Sequence, residues 1–389
     1  MASGIPLLPA PVFVADADGL DPNLILADMV AAFESAAGRT LQPAQVERLL
    51  INLYAYRESL VRNAIQYAGQ QNLLAYSIFP MIDYLGQLLG VARLPAQGAT
   101  STIQFTLANA LSISYTLPAG TLVGTSDGQF AFAIDRSLTI AAGTLSGVAS
   151  ATATVAGAGA NGYLPGQIAV QLSPSVLIAS AVNVSTSADG SAPETDDHLR
   201  ARIQAAPNQF SVAGPEGAYR FFALSADPTI ADAQIASPAP GAVSVYVLTG
   251  PVGLQPATPP NVAGIAGTAL LNKVSTLLSA DNVRPLTDTV SVFPVTEVDY
   301  QISGTITLYT DTDPVATMTA ANSAAQSFAI ALASRIQRDI VPSQIIEALS
   351  VPGVYEVTLS APTYTQLAAG QWANCSAITL GQAIGPIRS

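Results

Sequence analysis

Ser126 and His198 are the residues whose types and spacing could form a nucleophilic site. Gly124, Ser126 and Gly128 spell G-x-S-x-G, and an aspartate lies between Ser126 and the chain's single histidine, the residue order of one class of serine hydrolase. The nucleophile elbow of such enzymes requires a strand, a turn and a helix. Strand-like sequences flank Ser126 on both sides, so a hairpin turn is favoured, and a serine hydrolase is kept as an alternative.

Two further patterns resemble ligand-binding motifs. Gly157, Gly159 and Gly162 spell G-x-G-x-x-G, but Pro165 and another glycine follow where a dinucleotide site needs the first turn of a helix. The aspartate-rich segment at residues 16–21 lacks the twelve-residue loop and final glutamate of a calcium site. One histidine and one cysteine cannot form a typical zinc site. We therefore expect no catalytic site, no cofactor and no metal.

The sequence around His198 predicts the start of a helix instead. Thr195 or Asp196 can cap the first free amides, and acidic side chains favour the positive end of the helix dipole. Arg200 and Arg202 follow on the same helix, where either could pair with a neighbouring carboxylate or reach a partner subunit. Both interpretations are left open, and both arginines are kept as candidate interface residues.

Composition and charge exclude several classes of function. The chain has 389 residues, 50% of them hydrophobic, which is enough for several cores and does not suggest disorder. Acidic residues outnumber basic ones by 26 to 14 and no arginine cluster occurs, so electrostatic binding of nucleic acid is not expected. Residues 98–190 contain no membrane-length apolar run, the opening residues do not follow a signal-sequence pattern, and one cysteine cannot form an internal disulfide. We expect assembly in a cytoplasm.

Residues 1–97 are predicted to form a helical region. After Pro43, apolar residues recur close to one helical face from Val46 to Ile65, and a short second helix is expected at residues 81–89. Tyrosine and arginine are enriched at protein interfaces. Ordinary amphipathic core explains the same tyrosines equally well. The candidate partner interface in this region comprises Tyr54, Tyr56, Arg57, Tyr67 and Tyr84.

Residues 98–190 are predicted to form a β-rich domain that is poor in charge. The stretch contains only four charged side chains, and Thr, Ser, Ala, Val and Gly alternate in short strand-like pieces. Such a surface tends to be covered by another molecule. We assign turn positions to Gly120, Gly128, Asn161 and Gly162, where a side chain is disfavoured or an Asx turn is common.

The rest of the chain is predicted to form two small α+β modules, residues 191–290 and 291–389. Linkers are expected near SPAPG (237–241), PATPPN (256–261) and Pro294, and these proline-rich joints would permit hinge motion. The predicted fold class is thus α+β and multidomain: an N-terminal helical region, a central β-rich domain and two small α+β modules.

Seven short motifs follow one another along the chain. They are IDYLGQLLGVARLPA (82–96), LPAGTLVGTSDGQFAF (117–132), GAGANGYLPGQI (157–168), DGSAPETDDHLRARI (189–203), GPEGAYRFFAL (214–224), VRPLTDTVSVFPV (283–295) and IIEALSVPGVYEVTL (345–359). Each is weakly specific alone. In this order and spacing they resemble the baseplate J-like family, the Mu-type and P2-type baseplate wedge proteins of contractile phage tails and related injection systems. Ser191 and Ala192 depart from the family, which commonly has a second glycine or threonine there.

The resemblance implies a structural role without catalysis. A member of the family would be a baseplate wedge component that assembles with other copies of itself and with other baseplate wedge proteins in a ring around the central hub. Hub and sheath-proximal proteins are further expected partners, whereas nucleic acid, membrane and small-molecule substrates are not. The expected location is the virion tail baseplate, after assembly in the host cytoplasm. A secreted β-rich adhesin or surface protein is a second alternative, because the acidic, Thr/Ala/Gly-rich composition also suits it.

Overall fold

The computed structural model describes residues 10–14, 20–210, 214–250, 264–280, 283–285 and 287–386. The chain divides into two compact units, of which the smaller contains residues 2–92 and 196–204 and the larger residues 93–195 and 205–389. The described chain has a helical unit, a β-rich part and two modules that combine helices with a sheet, which is the α+β, multidomain class that the sequence predicts. Among these residues, no helix has both the length and the apolar character that a membrane span needs.

Helices form the smaller unit, and they are α1 (Pro22–Ala37), α2 (Val46–Gln71), α3 (Met81–Gln87) and α4 (Asp196–Ala205). Helix α1 starts where the Asp21 carboxylate accepts a hydrogen bond from Asn23 N at 2.8 Å. It ends at Gly38, whose φ of +65° suits a glycine C-cap. Helix α1 packs along α2, and residues 196–204 of α4 cluster with these N-terminal helices.

Eight strands build the first part of the larger unit. They are β1 (Thr100–Leu107), β2 (Tyr115–Leu117), β3 (Leu122–Thr125), β4 (Ala131–Ile134), β5 (Leu138–Ile140), β6 (Ser146–Ala153), β7 (Ile168–Gln171) and β8 (Ile178–Asn183). Six form an antiparallel sheet in the order β7-β3-β4-β6-β1-β8, and β2 pairs with β5. Every second residue of β1 is buried, which places Ile103, Phe105 and Leu107 in the core with Phe132.

The Asn183 side chain connects the two ends of this sheet, β7 and β8. Its Oδ1 accepts a hydrogen bond from Ile168 N at 2.9 Å, and its Nδ2 donates to the carbonyls of Leu164 at 3.0 Å and Ser185 at 2.9 Å. Gly166 N also donates to Asn183 O at 3.0 Å. Asn183 is 1% exposed. Its buried side-chain amide therefore links the two end strands of the sheet, which do not pair directly, and so curls the sheet towards a barrel.

The next module contains α5 (Glu216–Ala226), β9 (Ile230–Ala239), β10 (Ala242–Thr249), α6 (Thr268–Leu278) and β11 (Thr289–Pro294). Its three-stranded sheet has the order β11-β10-β9. Strands β9 and β10 are antiparallel neighbours, whereas β10 and β11 are parallel. A tight turn cannot join parallel strands, so the chain crosses between β10 and β11 through α6.

The last module contains β12 (Thr296–Leu308), α7 (Pro314–Ala333), α8 (Pro342–Leu349), β13 (Val354–Ala361) and β14 (Gln371–Ile384). The sheet order is β13-β12-β14, with β13 antiparallel and β14 parallel to β12. Helix α7 packs mainly on β14 and α8 on β13. The sequence pattern did not predict β14, the longest strand of the module.

Of the three predicted linkers, SPAPG is wrong, whereas the Pro294 segment lies at the junction of the last two modules. SPAPG lies in the hairpin between β9 and β10, where Gly241 has a φ of +77°. Pro294 is the last residue of β11, and Val295 alone separates it from β12. Proline is tolerated in both places because β9 and β11 are edge strands of their sheet. The third predicted linker, PATPPN, lies outside the described residues.

Two different junctions connect the modules of the larger unit. Between the last two modules, the buried Trp372 packs with Leu248, Val295 and Ile336, and its Nε1 donates to Ala333 O at 2.6 Å. Between the β-rich domain and the module of α5 to β11, the contact is polar. Lys273 Nζ donates to Gln97 Oε1 at 2.9 Å and to Asp227 Oδ2 at 2.8 Å. Gln97 pairs with Ser191 just before β1 begins.

Candidate functional site: the exposed face of helix α2

Helix α2 presents its apolar residues to solvent. Ten large apolar or aromatic side chains on this helix are 46% to 69% exposed. They are Val46, Leu49, Leu50, Leu53, Tyr54, Tyr56, Leu60, Val61, Ile65 and Tyr67. At 100° per residue these positions occupy one half of the helix circumference. The helix therefore has the expected amphipathic pattern, but its apolar half is exposed rather than packed among the described residues.

The buried residues of α2 are small or polar: Ala55, Ser59, Gln66 and Gln71. Gln66 explains how this side is covered, because its Oε1 accepts from Phe13 N at 2.7 Å and its Nε2 donates to Pro11 O at 2.7 Å. Gln71 Oε1 similarly accepts a hydrogen bond from Ile78 N at 3.0 Å. The preceding and following segments of the chain thus hold the polar side of α2 through hydrogen bonds.

An apolar groove runs between α1 and α2. It has a volume of about 590 Å³ and is lined by Met29, Ala32 and Phe33 of α1 and by Ile51, Tyr54, Arg57, Glu58 and Val61 of α2. The contact with α1 therefore leaves space beside the exposed half of α2. Grooves of this kind accept apolar side chains of a further helix.

Few charges interrupt this surface. Glu58 and Arg62 form an ion pair one helical turn apart, which neutralises both. Near the start of α2, Glu47 pairs with Arg39 at 2.8 Å. The pKa of Glu47 is lowered, first by a hydrogen bond from the backbone at the helix start and then by the Arg39 guanidinium. The charged groups that line the helix are thus mostly paired within the unit.

The size of the exposed face is unusual for a chain that acts alone. Ten side chains of roughly 150–200 Å² each, about half exposed, leave on the order of 1,000 Å² of apolar surface open. A single protein rarely exposes a contiguous apolar patch larger than a few hundred Å². A standard specific interface buries about 800 Å² on each partner. The α2 face is large enough for such an interface.

The tyrosines named from the sequence lie at or near this surface. Tyr54, Tyr56 and Tyr67 of α2 are 65%, 56% and 54% exposed, and Tyr84 of α3 is 60% exposed. Arg57 is exposed as well and lines the groove. Sequence reasoning missed the leucines as interface candidates, since their spacing predicts an apolar face but not what covers it. Ser59 and Gln66, buried on the other side, carried no recognisable signal.

Arg200 and Arg202 are used inside the smaller unit. Arg200 pairs with Asp197, its Nε donates to Leu74 O and its Nη2 donates to Ser77 O, both at 2.8 Å. Arg202 is 5% exposed and donates to Ala92 O at 3.2 Å. Their guanidinium groups hold the loops around α3 to α4, so we leave both arginines out of the interface proposed below.

The residues before and at the start of α4 bind the neighbouring backbone. Helix α4 begins at Asp196, directly after Thr195, and the Asp196 carboxylate accepts a hydrogen bond from Phe79 N at 3.2 Å. The buried Glu194 accepts from Leu94 N at 2.8 Å. His198 lies in the first turn of the helix. These acidic groups therefore already have partners within the fold.

The G-x-S-x-G sequence lies on the turn between β3 and β4, as a hairpin. Ser126 Oγ donates to Gln167 O at 3.0 Å, and a strand follows the turn where an elbow would have a helix. Asp127 accepts from Thr125 Oγ1 at 2.5 Å, from Gln129 N and from the Tyr163 hydroxyl, which together lower the pKa of Asp127. The Ser126 hydroxyl and the Asp127 carboxylate are thus used in hydrogen bonds that hold the turn and its neighbouring segments.

The predicted turn residues lie in turns between the strands. Gly120, Gly128 and Gly162 have φ values of +83°, +71° and +86°. Asn161 binds Gly190 twice, because its Nδ2 donates to Gly190 O and its Oδ1 accepts from Gly190 N, both at 2.8 Å. A Cβ atom at Gly190 would lie 2.5 Å from Gly157 O, so only glycine fits this contact.

Metal-binding residues do not cluster in the described part of the chain, where no group of three or more His, Cys, Asp or Glu side chains could hold an ion. Asp16, Asp18 and Gly19 lie outside that part. Asp21 caps α1.

Comparison with known proteins gives matches along most of the larger unit. The model of the Baseplate J-like protein barrel domain matches residues 102–190, that of the Baseplate J-like central domain residues 211–294, and that of the Baseplate J-like protein C-terminal domain residues 300–381. The chain belongs to the baseplate J-like family. The three matches follow the order of the motifs in the sequence.

Two individual proteins are similar to this member of the family. Baseplate protein J of Escherichia phage P2 is 37% identical over 169 residues, which is 43% of this chain and 52% of the phage protein, so the match spans about half of that relative. A chain in the cryo-EM structure of the anti-feeding prophage baseplate, symmetrised six-fold, covers 90% of both chains at a TM-score of 0.42 and 17% identity. The latter overlap is loose and supports no conclusion about this chain.

Proposed function

We propose that this chain is a structural baseplate component of a contractile phage tail or tail-like injection machine, with no catalytic step of its own. Its place would be the tail baseplate, after assembly in the host cytoplasm. The similarity to Baseplate protein J of phage P2 supports the class of particle. The observation that carries the mode of action is the apolar half of α2, which the described part of the chain leaves exposed.

The partner of α2 is a helix of a neighbouring baseplate protein. Val46, Leu49, Leu53, Tyr56 and Leu60 are spaced alternately by three and four residues, the repeat that packs one helix along another. Leu50, Tyr54, Arg57 and Val61 repeat the same spacing beside them, and the last three of these line the groove next to α1. Two adjacent seams on one helix fit a bundle in which further helices complete the layer around α1 and α2.

Binding is driven by apolar burial. About 1,000 Å² at about 25 cal/mol per Å² corresponds to a gross gain of about 25 kcal/mol, most of which offsets the loss of freedom on association. The few exposed charges on α2 leave little desolvation cost in the centre of the contact. The tyrosines and Arg57 would act as the anchors, because these residue types dominate measured interface energies.

The test is co-expression with the neighbouring baseplate proteins, followed by purification through a tag on this chain. The variant Leu53→Asp/Leu60→Asp places two carboxylates in the first seam. We expect its circular dichroism and melting temperature to equal those of the native chain, while co-purified partners are lost.

The matched control is Ile113→Asp/Val176→Asp, which makes the same kind of change at two exposed apolar positions of the β-rich domain, 73% and 97% exposed. This control should keep the complex. An intact complex in the α2 variant would refute the proposed role of α2.

A further inference from the structure

Strand β14 forms an open edge of the C-terminal sheet. It is the last strand in the order β13-β12-β14, and among the described residues no strand pairs with its outer side. Its beginning is covered, because Gln371 O accepts from Gln337 N at 2.8 Å and Trp372 is buried. The uncovered part therefore runs from Ser376 to Ile384, about 30 Å of extended backbone.

This edge has little of the usual protection against pairing, because the register irregularity of β14 lies at Ser376, where the uncovered part begins. Natural edge strands carry charges, prolines or strong bulges that prevent another strand from docking. From Gln371 to Ile384 there is no charged residue and no proline, although the chain as a whole has a net charge of −12. The opposite edge strand of the same sheet, β13, does carry a charge, at Glu356.

Helix α7, which packs on β14, is uncharged as well. All twenty residues from Pro314 to Ala333 lack a charged side chain, and most of its exposed positions are alanine, serine or threonine. Helix α8, which packs on β13, contains Glu347. The half of the module that holds α7 and β14 is therefore a place where two strongly acidic chains can approach without charge repulsion.

We infer that β14 pairs with β14 of a second copy of this chain, antiparallel and across a two-fold axis, to form one continuous six-stranded sheet. A two-fold axis makes the contact self-complementary, so the free segment pairs with itself. Its middle residue, Leu380, then lies opposite Leu380 of the second copy, and Thr379 lies opposite Gly381. No like charges oppose each other at any position in this register.

The contact is of moderate strength. A strip about 30 Å long, covering the strand and the helix above it, buries roughly 600 Å² on each copy, at the lower end of specific interfaces. About eight inter-chain backbone hydrogen bonds would form along nine paired residues. The expected result is a dimer that dissociates in the micromolar range and is held more firmly when other contacts concentrate the copies. This pairing does not use α2 and stands independently of the function proposed above.

Site-specific disulfide formation in the full chain tests the register. In a Cys375→Ala background, Leu380→Cys places two thiols directly opposite, with Cα atoms about 4.5–5.5 Å apart, within the range of a disulfide. The matched control Gln382→Cys lies on the same strand, but its two copies would be about 13 Å apart. Under mild oxidation we expect a covalent dimer from the first variant and not from the second. Equal cross-linking of both, or of neither, would overturn the inference.

Charge substitutions provide a second test that leaves the core untouched. A Cβ atom at Gly381 would have its nearest neighbours at 3.7 Å, so a side chain fits there within one chain. Thr379→Glu/Gly381→Glu opposes like charges twice across the axis, and sedimentation should show a dimer weakened by about fivefold or more. Thr379→Glu/Gly381→Lys opposes unlike charges and should restore it. Native chain that stays monomeric, or equal masses for both variants, would contradict the pairing even if α2 binds its partners.

Discussion

The β-rich domain and helix α2 place their apolar residues in opposite ways. In the β-rich domain, alternate residues of β1 point inwards and Phe105 and Phe132 are almost fully buried. In α2, Leu53, Tyr54 and Val61 are more than half exposed while Ser59 and Gln66 are buried. The first region completes its own core. The second leaves its apolar surface exposed among the described residues. Under the proposed function, these side chains contribute to assembly more than to the stability of the free protein.

The largest effect on stability is expected inside the β-rich domain. Phe132→Ala removes a fully buried ring and should lower the free energy of unfolding by about 3–5 kcal/mol, because the cavity cannot collapse fully. Urea denaturation followed by circular dichroism measures it. Phe210→Ala, at a ring that is 71% exposed, is the control and should change stability by less than about 0.5 kcal/mol. Similar losses of unfolding free energy in Phe132→Ala and Phe210→Ala would contradict the difference between buried and exposed rings.

A smaller loss is expected where the sheet closes. Asn183→Ala leaves Ile168 N and the carbonyls of Leu164 and Ser185 without their side-chain partner, which should cost about 2–3 kcal/mol. The exposed Asn109→Ala is the matched control with little expected change. Thermal melts of the two variants give the comparison. An unchanged melting temperature for Asn183→Ala would show that the closing amide adds nothing.

The contribution of the Lys273–Asp227 contact to stability should depend on pH. Burial alone would raise the pKa of Asp227, but hydrogen bonds from Lys273 and Thr229 outweigh it and hold the pKa below its ordinary value. A lowered carboxyl pKa means that the contribution is present at neutral pH and is lost as the pH falls through that value. Lys273→Met should cost about 1 kcal/mol or less at pH 7, since Lys273 is half-exposed.

The difference between the native chain and Lys273→Met should narrow as the pH drops below the ordinary aspartate pKa of about 3.9. Urea midpoints at several pH values measure it, and Lys273→Arg, which keeps a cation, should behave like the native chain. If the stability difference between the native chain and Lys273→Met stayed constant down to acid pH, Lys273 would not act through the Asp227 carboxylate.

The smallest effect on the free protein is expected in α2. Leu53→Ala should change the free energy of unfolding by less than about 0.5 kcal/mol, because this side chain is 56% exposed. The same substitution should weaken the complex with the partner by about tenfold, as it truncates an apolar contact in the middle of the seam. Parallel denaturation and titration experiments separate the two quantities. A stability loss above about 1 kcal/mol with unchanged binding would show that Leu53 stabilises the free chain and does not contact the partner.

The sequence predicts much of the local structure. The glycine turn signal between strand-like flanks predicts the hairpin at Ser126, and the capping residues Thr195 and Asp196 predict the start of α4, since both depend on chemistry within a few residues. Amphipathic spacing predicts the long helix α2. It cannot indicate whether a partner or the chain's own core covers the apolar face, because that depends on residues far away in sequence such as Pro11 and Phe13.

Three features could not be read from local patterns. Strand β14 lacks regular alternation, and its pairing with β12 involves residues about 75 positions apart. The Pro294 segment resembles a linker, yet it ends an edge strand whose place is set by tertiary pairing with β10. Asn183 looks like a loop asparagine in sequence, and only the closure of the sheet gives it four backbone partners.

Hydroxyl-radical footprinting of the tyrosines, in the free chain and in the complex with its baseplate partners, tests the central claim most directly. Tyr56 and Tyr67 should be oxidised readily in the free chain and protected in the complex. Tyr364 of the last module, 60% exposed, is the internal reference and should react equally in both. A complex that forms while Tyr56 and Tyr67 remain as reactive as in the free chain would contradict assembly through α2.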